Sequence, residues 1–258
     1  MIVEMATQSL HIAIDGPVAA GKGTVSRLVA DRLGWLYVDT GAMYRATALL
    51  ALRSNIPLSE INGRVQDLVA LLCSSTIALR NPLEQEKDGR LVTVLLNGED
   101  VSWDIRTPEC SQGASIVAQL GEVRQELVAK QQQIAKTQHV VMEGRDITFR
   151  VLPDAQLKIY LDASIEERAS RRHQELLARG VDTTFEEVLT EIKQRDERDM
   201  NRSVDPLHAT NDSWILDTTG KTIEEVVGMI ESKARALQTQ LHTQQSTPQR
   251  KEEDGNKA

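Results

Sequence analysis

The chain has 258 residues, of which 40% are hydrophobic and 26% charged, the balance of a globular protein with one large domain or two small ones. Its formal net charge of −8 excludes the basic face that binding to a nucleic-acid polymer requires. The two cysteines, Cys73 and Cys110, form no CxxC pair, which excludes a zinc site or a disulfide framework and is typical of a reducing cytosol.

The two ends of the chain differ from its middle. Residues 1–10 contain Glu4 and no basic run, so we predict an N-terminal extension that is not a signal peptide, with Met1 or Met5 as the start. No apolar run approaches the length of a membrane span. Residues 238–258 are mostly Gln, Thr, Lys and Glu, so we predict a disordered tail. We therefore expect a folded domain at 11–237 in a cytoplasmic, monomeric protein without membrane partners.

Short apolar runs alternate with helical patterns along this domain. The runs predicted as buried strands are 11–15, 35–39, 139–142, 157–161 and 214–217. The segments predicted as helices are 22–33, 42–53, 58–72, 108–118, 122–136, 164–180, 185–200 and 223–237. This α/β alternation predicts a five-stranded parallel sheet flanked by helices. Right-handed crossovers place the ligand site beyond the carboxyl ends of the strands.

One segment interrupts the alternation. Residues 76–79 and 91–96 are predicted strands on either side of a polar turn at 87–89, and Asn97-Gly98 marks another tight turn. We therefore predict a small antiparallel insert at about 74–106.

A glycine-rich turn between the first strand and the first helix is the strongest motif. Glycines let successive N–H groups point at phosphate oxygens, and the helix N-terminus adds positive charge. Lys22 would reach the β- and γ-phosphates, and the Thr24 hydroxyl could ligate Mg²⁺. Gly23 separates Lys22 from Thr24, whereas the strict pattern has Ser or Thr directly after the lysine. The turn is thus predicted to be a nucleotide-binding P-loop of Gly16, Pro17, Val18, Ala19, Ala20, Gly21, Lys22, Gly23 and Thr24.

Other motifs narrow the class of P-loop protein. A GTPase should show NKxD and DxxG motifs, and neither is present. A motor ATPase should have paired acids after a strand, but the strand 139–142 is followed by Glu143, Gly144, Arg145 and Asp146. An arginine at that strand end suits a second phosphate, on an acceptor. Asp15, at the end of the first strand, could orient Mg²⁺ through water or cap the loop.

Further arginines occur after the second strand and in two charged helices. Arg45 comes one turn into the helix after the second strand. Arg168 and Arg172 share one helix face at spacing i, i+4, and Arg195 and Arg202 lie in and after a second charged helix. The transition state of phosphoryl transfer spreads negative charge over three oxygens. Enzymes usually stabilise this charge with positioned guanidinium groups. For Arg198 and its neighbours Lys193 and Glu197, a solvated, salt-bridged face is the preferred interpretation.

From residue 11 to about 235 the sequence resembles the bacterial cytidylate kinase family. The matching stretches are IDGP…GKGT at 14–24, DTGAMYR at 39–45, GEDVS…IRT at 98–107, EGRDI at 143–147, LDAS…ERASRR at 161–172 and EIKQRDERDMNRSVDPL at 191–207. The resemblance implies a P-loop nucleoside monophosphate kinase fold, with the insert as the monophosphate-binding domain and a short helical lid at about 164–182. It also implies phosphorylation of CMP and dCMP with ATP and Mg²⁺.

The resemblance assigns roles residue by residue. Arg45 and Arg145 would hold the acceptor phosphate, and Thr40, Tyr44, Arg195 and Asp199 would lie along the sugar and phosphate. Ser115, Arg124, Asp146 and Arg202 would read the cytosine edge. Arg168, Arg171 and Arg172 would form the lid over the ATP phosphates, with Lys22, Arg145, Arg168 and Arg172 as the catalytic set.

Three other functions fit the sequence less well. A P-loop kinase for a different small acceptor would differ in the base-reading residues. A nucleotide-binding regulatory module without turnover is disfavoured because Lys22, Thr24 and the arginine set are intact. A nucleic-acid-binding protein is disfavoured by the acidic balance and the scarcity of aromatic residues, at 3%.

Overall fold

The computed structural model describes residues 9–246. Five parallel strands form the central sheet in the order β2-β6-β1-β7-β8. They are β1 (His11–Asp15), β2 (Leu36–Asp39), β6 (Val140–Gly144), β7 (Leu157–Asp162) and β8 (Trp214–Asp217). The first strand lies in the middle, so the loop after it opens between the ends of two neighbouring strands.

The helices of the described chain connect these strands. They are α1 (Lys22–Leu33), α2 (Thr40–Arg53), α3 (Val65–Ser74), α4 (Pro108–Val117), α5 (Gly121–Lys136), α6 (Ile165–Ala178), α7 (Phe185–Asn201) and α8 (Ile223–Ser246). α1 packs on β2, β6 and α8, while α2 packs on α4 and α6 packs on α7. Ile12, Ala13 and Ile14 are at most 1% exposed, as a parallel strand covered on both faces requires. The predicted α/β class and five-stranded parallel sheet are confirmed.

The insert is a three-stranded antiparallel sheet. Its strands are β3 (Ile77–Arg80), β4 (Thr93–Leu96) and β5 (Glu99–Asp100), in that order. Asn97 and Gly98 both have left-handed backbone, with φ of 52° and 86°, which is the geometry of a two-residue hairpin turn. The Asn81 side chain accepts from the N–H of Tyr37 and donates to the carbonyl of Trp35, so the insert is tied to the free edge of β2.

Two element predictions are wrong. Residues 58–72 are not one helix: a 3₁₀ segment at Leu58–Gly63 precedes α3, because the weak helix formers Asn62 and Gly63 interrupt the pattern. The last helix does not end at Leu237, since α8 continues to Ser246 through the first part of the predicted tail. Leu237 and Leu241, four residues apart, pack on the core and explain the extension. Residues 1–8 of the predicted extension and 247–258 of the predicted tail lie outside the described residues.

Asp15 joins the end of β1 to the segment after β6. Its carboxylate accepts from the N–H groups of Ile147 and Thr148 at 2.9 and 2.8 Å and from the Thr148 hydroxyl at 2.7 Å. Residues Ile147–Val151 form a π-helical turn that sequence patterns did not indicate. Burial raises the pKa of Asp15, and these hydrogen bonds oppose the shift. Both oxygens are therefore engaged in holding the turn after β6, a role that differs from both sequence-based expectations for Asp15.

Substituting Asp15 tests this structural role. Asp15→Asn keeps the shape but places an amide N–H against a backbone donor in a fully buried site, which we expect to cost about 2–3 kcal/mol of unfolding free energy. The urea midpoint measures the loss. Asp31→Asn, at an exposed i, i+4 pair with Arg27, is the matched control and should leave the midpoint unchanged. Equal midpoints for both variants would contradict the role.

Candidate active site

The loop at residues 16–21 curls tightly between β1 and α1. Gly16 has φ of +154°, and a Cβ there would lie 2.0 Å from the carbonyl oxygen of Leu161 on β7. Gly21, at φ 86°, precedes the first residue of α1, and Ala19 is also left-handed at φ 60°. A side chain at residue 16 would therefore push the loop off the sheet. The predicted P-loop has the strand–turn–helix geometry that phosphate binding needs.

Lys22 is buried at this loop. Its ammonium donates to the carbonyl oxygens of Gly16 and Pro17 at 2.8 and 2.7 Å. Burial lowers the pKa of Lys22, and the positive charge of Arg145 lowers it further. The acceptors of the ammonium are thus neutral carbonyls, and a phosphate would be a stronger partner for it.

Two arginines lie beyond the ends of β2 and β6, beside the loop. Arg45 pairs with Asp39 at 2.7 Å, and Arg145 pairs with Asp199 at 2.7 Å. Thr40 begins α2 and its hydroxyl donates to the carbonyl of Glu143 at 2.7 Å, joining the two strand ends. The structure therefore brings Arg45 and Arg145 to the same edge of the sheet as Lys22, as predicted from their positions after the carboxyl ends of parallel strands.

Arg195, on α7, faces the same cleft. Its guanidinium makes no hydrogen bond or ion pair with the part of the chain that the structure describes. Burial lowers the pKa of Arg195 to about 10, with a further contribution from Arg145 and an opposing one from Asp199. A half-buried guanidinium without a carboxylate partner is poised for an anionic ligand.

Glu143 is a further carboxylate near the P-loop, and the sequence had suggested no role for it. Glu143 is the penultimate residue of β6 and accepts a hydrogen bond from the Tyr37 hydroxyl at 2.7 Å. Burial raises the pKa of both side chains. A Cβ on Gly23 would lie 3.1 Å from a Glu143 oxygen and 3.4 Å from the Tyr37 hydroxyl. The close approach explains the glycine that follows Lys22, and the acidic residue after a buried strand was the signal available in the sequence.

A buried charge cluster adjoins the arginines. Arg124, 2% exposed, donates to Asp146 and, at 3.1 Å, to Asp205. Arg202 lies 3.8 Å from Asp146 and donates to the carbonyl of Asp205 at 2.6 Å. The Tyr44 ring lies 5.9 Å from the Arg124 guanidinium. The predicted residues Tyr44, Arg124, Asp146 and Arg202 are thus brought together, and Asp205 joins them without having been predicted.

The cleft beside this cluster is lined by polar groups from α4 and α7. The lining residues are Ser115, Ala118, Gln119, Arg195, Arg198, Asp199 and Arg202. Four of these residues were predicted to bind the nucleoside monophosphate, and the structure places them around one cavity: Ser115, Arg195, Asp199 and Arg202. Arg198 also borders it, although its charge pattern had favoured a solvated face.

The three predicted lid residues contact different parts of the structure. Arg168 is buried and donates to the carbonyl of Val18 at 3.0 Å and to Asp196 at 2.6 Å. Asp196 in turn accepts from the Val18 N–H at 3.2 Å, so α6 and α7 clamp the loop together. Arg171 instead binds the carbonyl and hydroxyl of Thr218, and Arg172 pairs with Glu175 at the surface. Arg168 is therefore the member of this set that the structure brings to the P-loop.

Few side chains of the site could ligate a metal ion. Between residues 9 and 246, no group of three or more His, Cys, Asp or Glu side chains could hold a metal ion. Thr24 lies half-buried on the first turn of α1, and its hydroxyl has no hydrogen-bond partner among the described residues. This donor set fits a hard cation that arrives with a nucleotide and takes one protein ligand. In the same part of the chain no helix is long and apolar enough to cross a membrane.

A P-loop beside a second cluster of partly buried arginines defines a kinase that transfers a phosphoryl group between two phosphate-bearing ligands. Comparison with known proteins identifies the family, because the cytidylate kinase family model matches residues 12–236. Cytidylate kinases from Geobacillus sp. and Caldanaerobacter subterraneus are 47% and 48% identical, covering 86% of this chain and 95% and 93% of theirs. That from Streptococcus equi subsp. zooepidemicus is 43% identical over 89% of this chain and 98% of its own. The chain belongs to the cytidylate kinase family.

Proposed function

We propose that this chain transfers the γ-phosphoryl group of ATP to CMP and dCMP, giving ADP and CDP or dCDP. The observation that supports it is the position of the P-loop and the Arg45 and Arg145 pairs at the carboxyl ends of the neighbouring strands β1, β2 and β6. A donor phosphate at Lys22 and an acceptor phosphate at the arginines would then meet in one cleft. The partners are small nucleotides, and the proposed location is the cytoplasm.

The donor side is assigned to the P-loop and the residues that clamp it. The N–H groups of residues 19–24 would cradle the ATP phosphates, and Lys22 would exchange its carbonyl acceptors for phosphate oxygens. Arg168 would place its charge beside the transferred group, with Arg171 and Arg172 further out. The Thr24 hydroxyl would hold Mg²⁺, which would neutralise phosphate charge when bound.

The acceptor side is assigned to the cluster between α2, α4 and α7. Arg45 and Arg145 would bind the acceptor phosphate, with Thr40, Tyr44, Arg195 and Asp199 along the sugar and phosphate. Ser115, Arg124, Asp146 and Arg202 would read the base. The cytosine 4-amino group donates a hydrogen bond where the uracil carbonyl accepts one. The Asp146 carboxylate, fixed by Arg124, would therefore select cytosine.

Catalysis needs no covalent enzyme intermediate. The acceptor phosphate is already an anionic nucleophile, so the residues contribute position and charge stabilisation. Closure of the insert and of α6 and α7 would exclude water, which otherwise competes for the phosphoryl group. We expect CMP to lower the radius of gyration measured by solution scattering. An unchanged radius at saturating CMP would count against closure.

A coupled assay of ADP release tests the function. With Mg-ATP we expect strong turnover of CMP and dCMP and weak turnover of UMP and AMP. A preference for another monophosphate would keep the kinase class and overturn the assigned base-reading residues. Absence of turnover with all four would move the chain to another acceptor or to a binding role.

A further inference from the structure

Asp205 belongs to the buried charge cluster, although the sequence had suggested no role for it. It lies between the end of α7 and Pro206, and its backbone is left-handed, with φ of 48°. Residues other than glycine rarely adopt this conformation, and aspartate and asparagine are the usual exceptions. Such positions persist where the surroundings hold them, which is frequently at a functional site. The contacts that hold Asp205 therefore point to its role.

The side chain and the main chain of Asp205 bind two different arginines. Its carboxylate accepts from Nη2 of Arg124 at 3.1 Å. Its carbonyl oxygen accepts from Nε of Arg202 at 2.6 Å and from Nη2 of the same guanidinium. Arg150, on the π-helical turn, lies 3.8 Å from the carboxylate, and its side chain is 51% exposed. Asp205 thus joins the two arginines that are assigned to the base.

Arg124 depends on Asp205 for part of its hydrogen bonding. Its Nη2 donates to both Asp146 and Asp205, and its Nη1 donates to the carbonyl of Ala118 at 3.3 Å. Its Nε is buried and has no hydrogen-bond partner within the described residues 9–246. A buried N–H group that loses its partner is costly, and more so when the group is charged. Without the Asp205 side chain, Asp146 would have to fix this guanidinium by itself.

Asp146 has two tasks in the proposed base site. Its Oδ2 accepts from Arg124, and the carboxylate is also assigned to accept from the 4-amino group of cytosine. Its Oδ1 lies 3.8 Å from Nη2 of Arg202, which is beyond hydrogen-bond distance, so this oxygen is the one open to the base. Rotation of the carboxylate toward cytosine would weaken its bond with Arg124. Asp205 already accepts from the same Nη2 and can take up that bond.

We propose that Asp205 is a positioning residue for base selection, which holds Arg124 and Arg202 in place while Asp146 accepts from cytosine. The proposal deepens the proposed function and rests on it, because it needs a cytosine base in this site. Asp205 would not touch the nucleotide and would act through the two arginines. Its negative charge would keep Arg124 neutralised when Asp146 turns toward the base.

The charge of Asp205 also affects the protonation of Asp146. Burial raises the pKa of Asp146, Arg124 and Arg202 oppose the shift, and Asp205 adds to it. The charged and titratable side chains that face Asp146 are Asp15 at the end of β1, Tyr44 on α2, Arg124 on α5, and Arg202 and Asp205 after α7. Asp205→Asn removes a negative neighbour, so the pKa of Asp146 should fall. The carboxylate of Asp146 should then stay ionised to a lower pH than in the wild type.

The ratio of kcat/KM for CMP to that for UMP, measured across pH, tests this role. Asp205→Ala should lower the ratio by about tenfold at neutral pH, as for a weakened hydrogen bond between charged groups. Asp205→Asn keeps an acceptor oxygen and tolerates the left-handed backbone, so its loss should be only about threefold. In Asp205→Asn the decline of the ratio on acidification should begin at a lower pH than in the wild type. The KM for ATP should change little in either variant.

A double variant separates positioning from direct contact with the base. In the Asp146→Asn background, Asp205→Ala should change the ratio by less than about twofold, because residues that act through one another are not additive. The same tenfold loss in both backgrounds would make Asp205 a base ligand and overturn the proposal. Asp212→Asn is the matched control, since Asp212 pairs with Lys158 on the surface and its side chain is 63% exposed. It should keep the ratio and its pH dependence.

Urea unfolding confirms that each variant is folded before its kinetics are compared. The proposal is also overturned if folded Asp205→Ala and Asp205→Asn keep the wild-type ratio and its pH dependence. In that case selective turnover of CMP by the wild type would leave the proposed function standing. A wild-type enzyme without CMP-dependent turnover would overturn the proposed function itself, and this inference with it.

Discussion

Lys22→Ala is expected to abolish measurable turnover, with a loss in kcat of about 10³-fold or more. The ammonium is buried in the P-loop, where it would stabilise the charge that develops on the transferred phosphoryl group. A factor of 10³ corresponds to about 4 kcal/mol of transition-state stabilisation. The coupled assay with CMP measures the loss, together with ATP affinity by calorimetry.

A second lysine controls for removal of charge alone. Lys87 pairs with Glu84 on the insert surface, and its side chain is 62% exposed. Lys87→Ala should keep wild-type kcat. Turnover by Lys22→Ala within tenfold of wild type would show that the loop carbonyls, and not a phosphate, are the functional partners of Lys22.

Asp146 is expected to control the choice of base more than the rate. Asp146→Asn keeps the shape of the side chain but replaces one acceptor oxygen with a donor, so the preference for CMP over UMP should fall by about 10²- to 10⁴-fold in kcat/KM. The kcat with CMP should fall by less. Arg124 keeps Asp205 as a partner, at 3.1 Å, which limits the structural damage. Unchanged selectivity would remove Asp146 from the base site.

The selectivity should also depend on pH. Burial raises the pKa of Asp146, and the charges of Arg124 and Arg202 partly oppose the shift. A carboxyl group accepts from cytosine only when ionised, and a raised pKa means that it takes up a proton at a higher pH than usual. The ratio of kcat/KM for CMP to that for UMP should therefore decline as the pH falls, and the decline should be absent in Asp146→Asn. Asp205→Asn should retain it.

The local part of the fold could be predicted from the sequence. Apolar runs such as 11–15 and 157–161 are stable only in the covered interior of a parallel sheet. Their strands were therefore predicted to within about one residue. The P-loop was equally predictable because its glycines, its lysine and the strand before it are adjacent in the chain. The carboxyl ends of the parallel strands then placed Arg45 and Arg145 at the same edge of the sheet as the P-loop.

Features that depend on distant pairs could not be predicted. The π-helical turn after β6 is stabilised by Asp15, which lies 132 residues before Ile147. The clamp between Arg168, Asp196 and Val18 joins three separate segments, and no local pattern distinguishes Arg168 from Arg172. In each case the decisive information was the identity of a partner far away in sequence.

The contacts of Asp196 and Arg168 with Val18 in the P-loop have a consequence for how binding at one site affects binding at the other. On α7, Asp196 holds the Val18 N–H of the donor loop, and its immediate neighbour Arg195 faces the acceptor cleft. A rigid helix cannot move one of these residues without moving the other. Occupation of either site should therefore change the affinity of the other by the same factor, as linkage requires. We therefore expect α7 to couple the proposed donor and acceptor sites, with equal effects of each ligand on the affinity of the other.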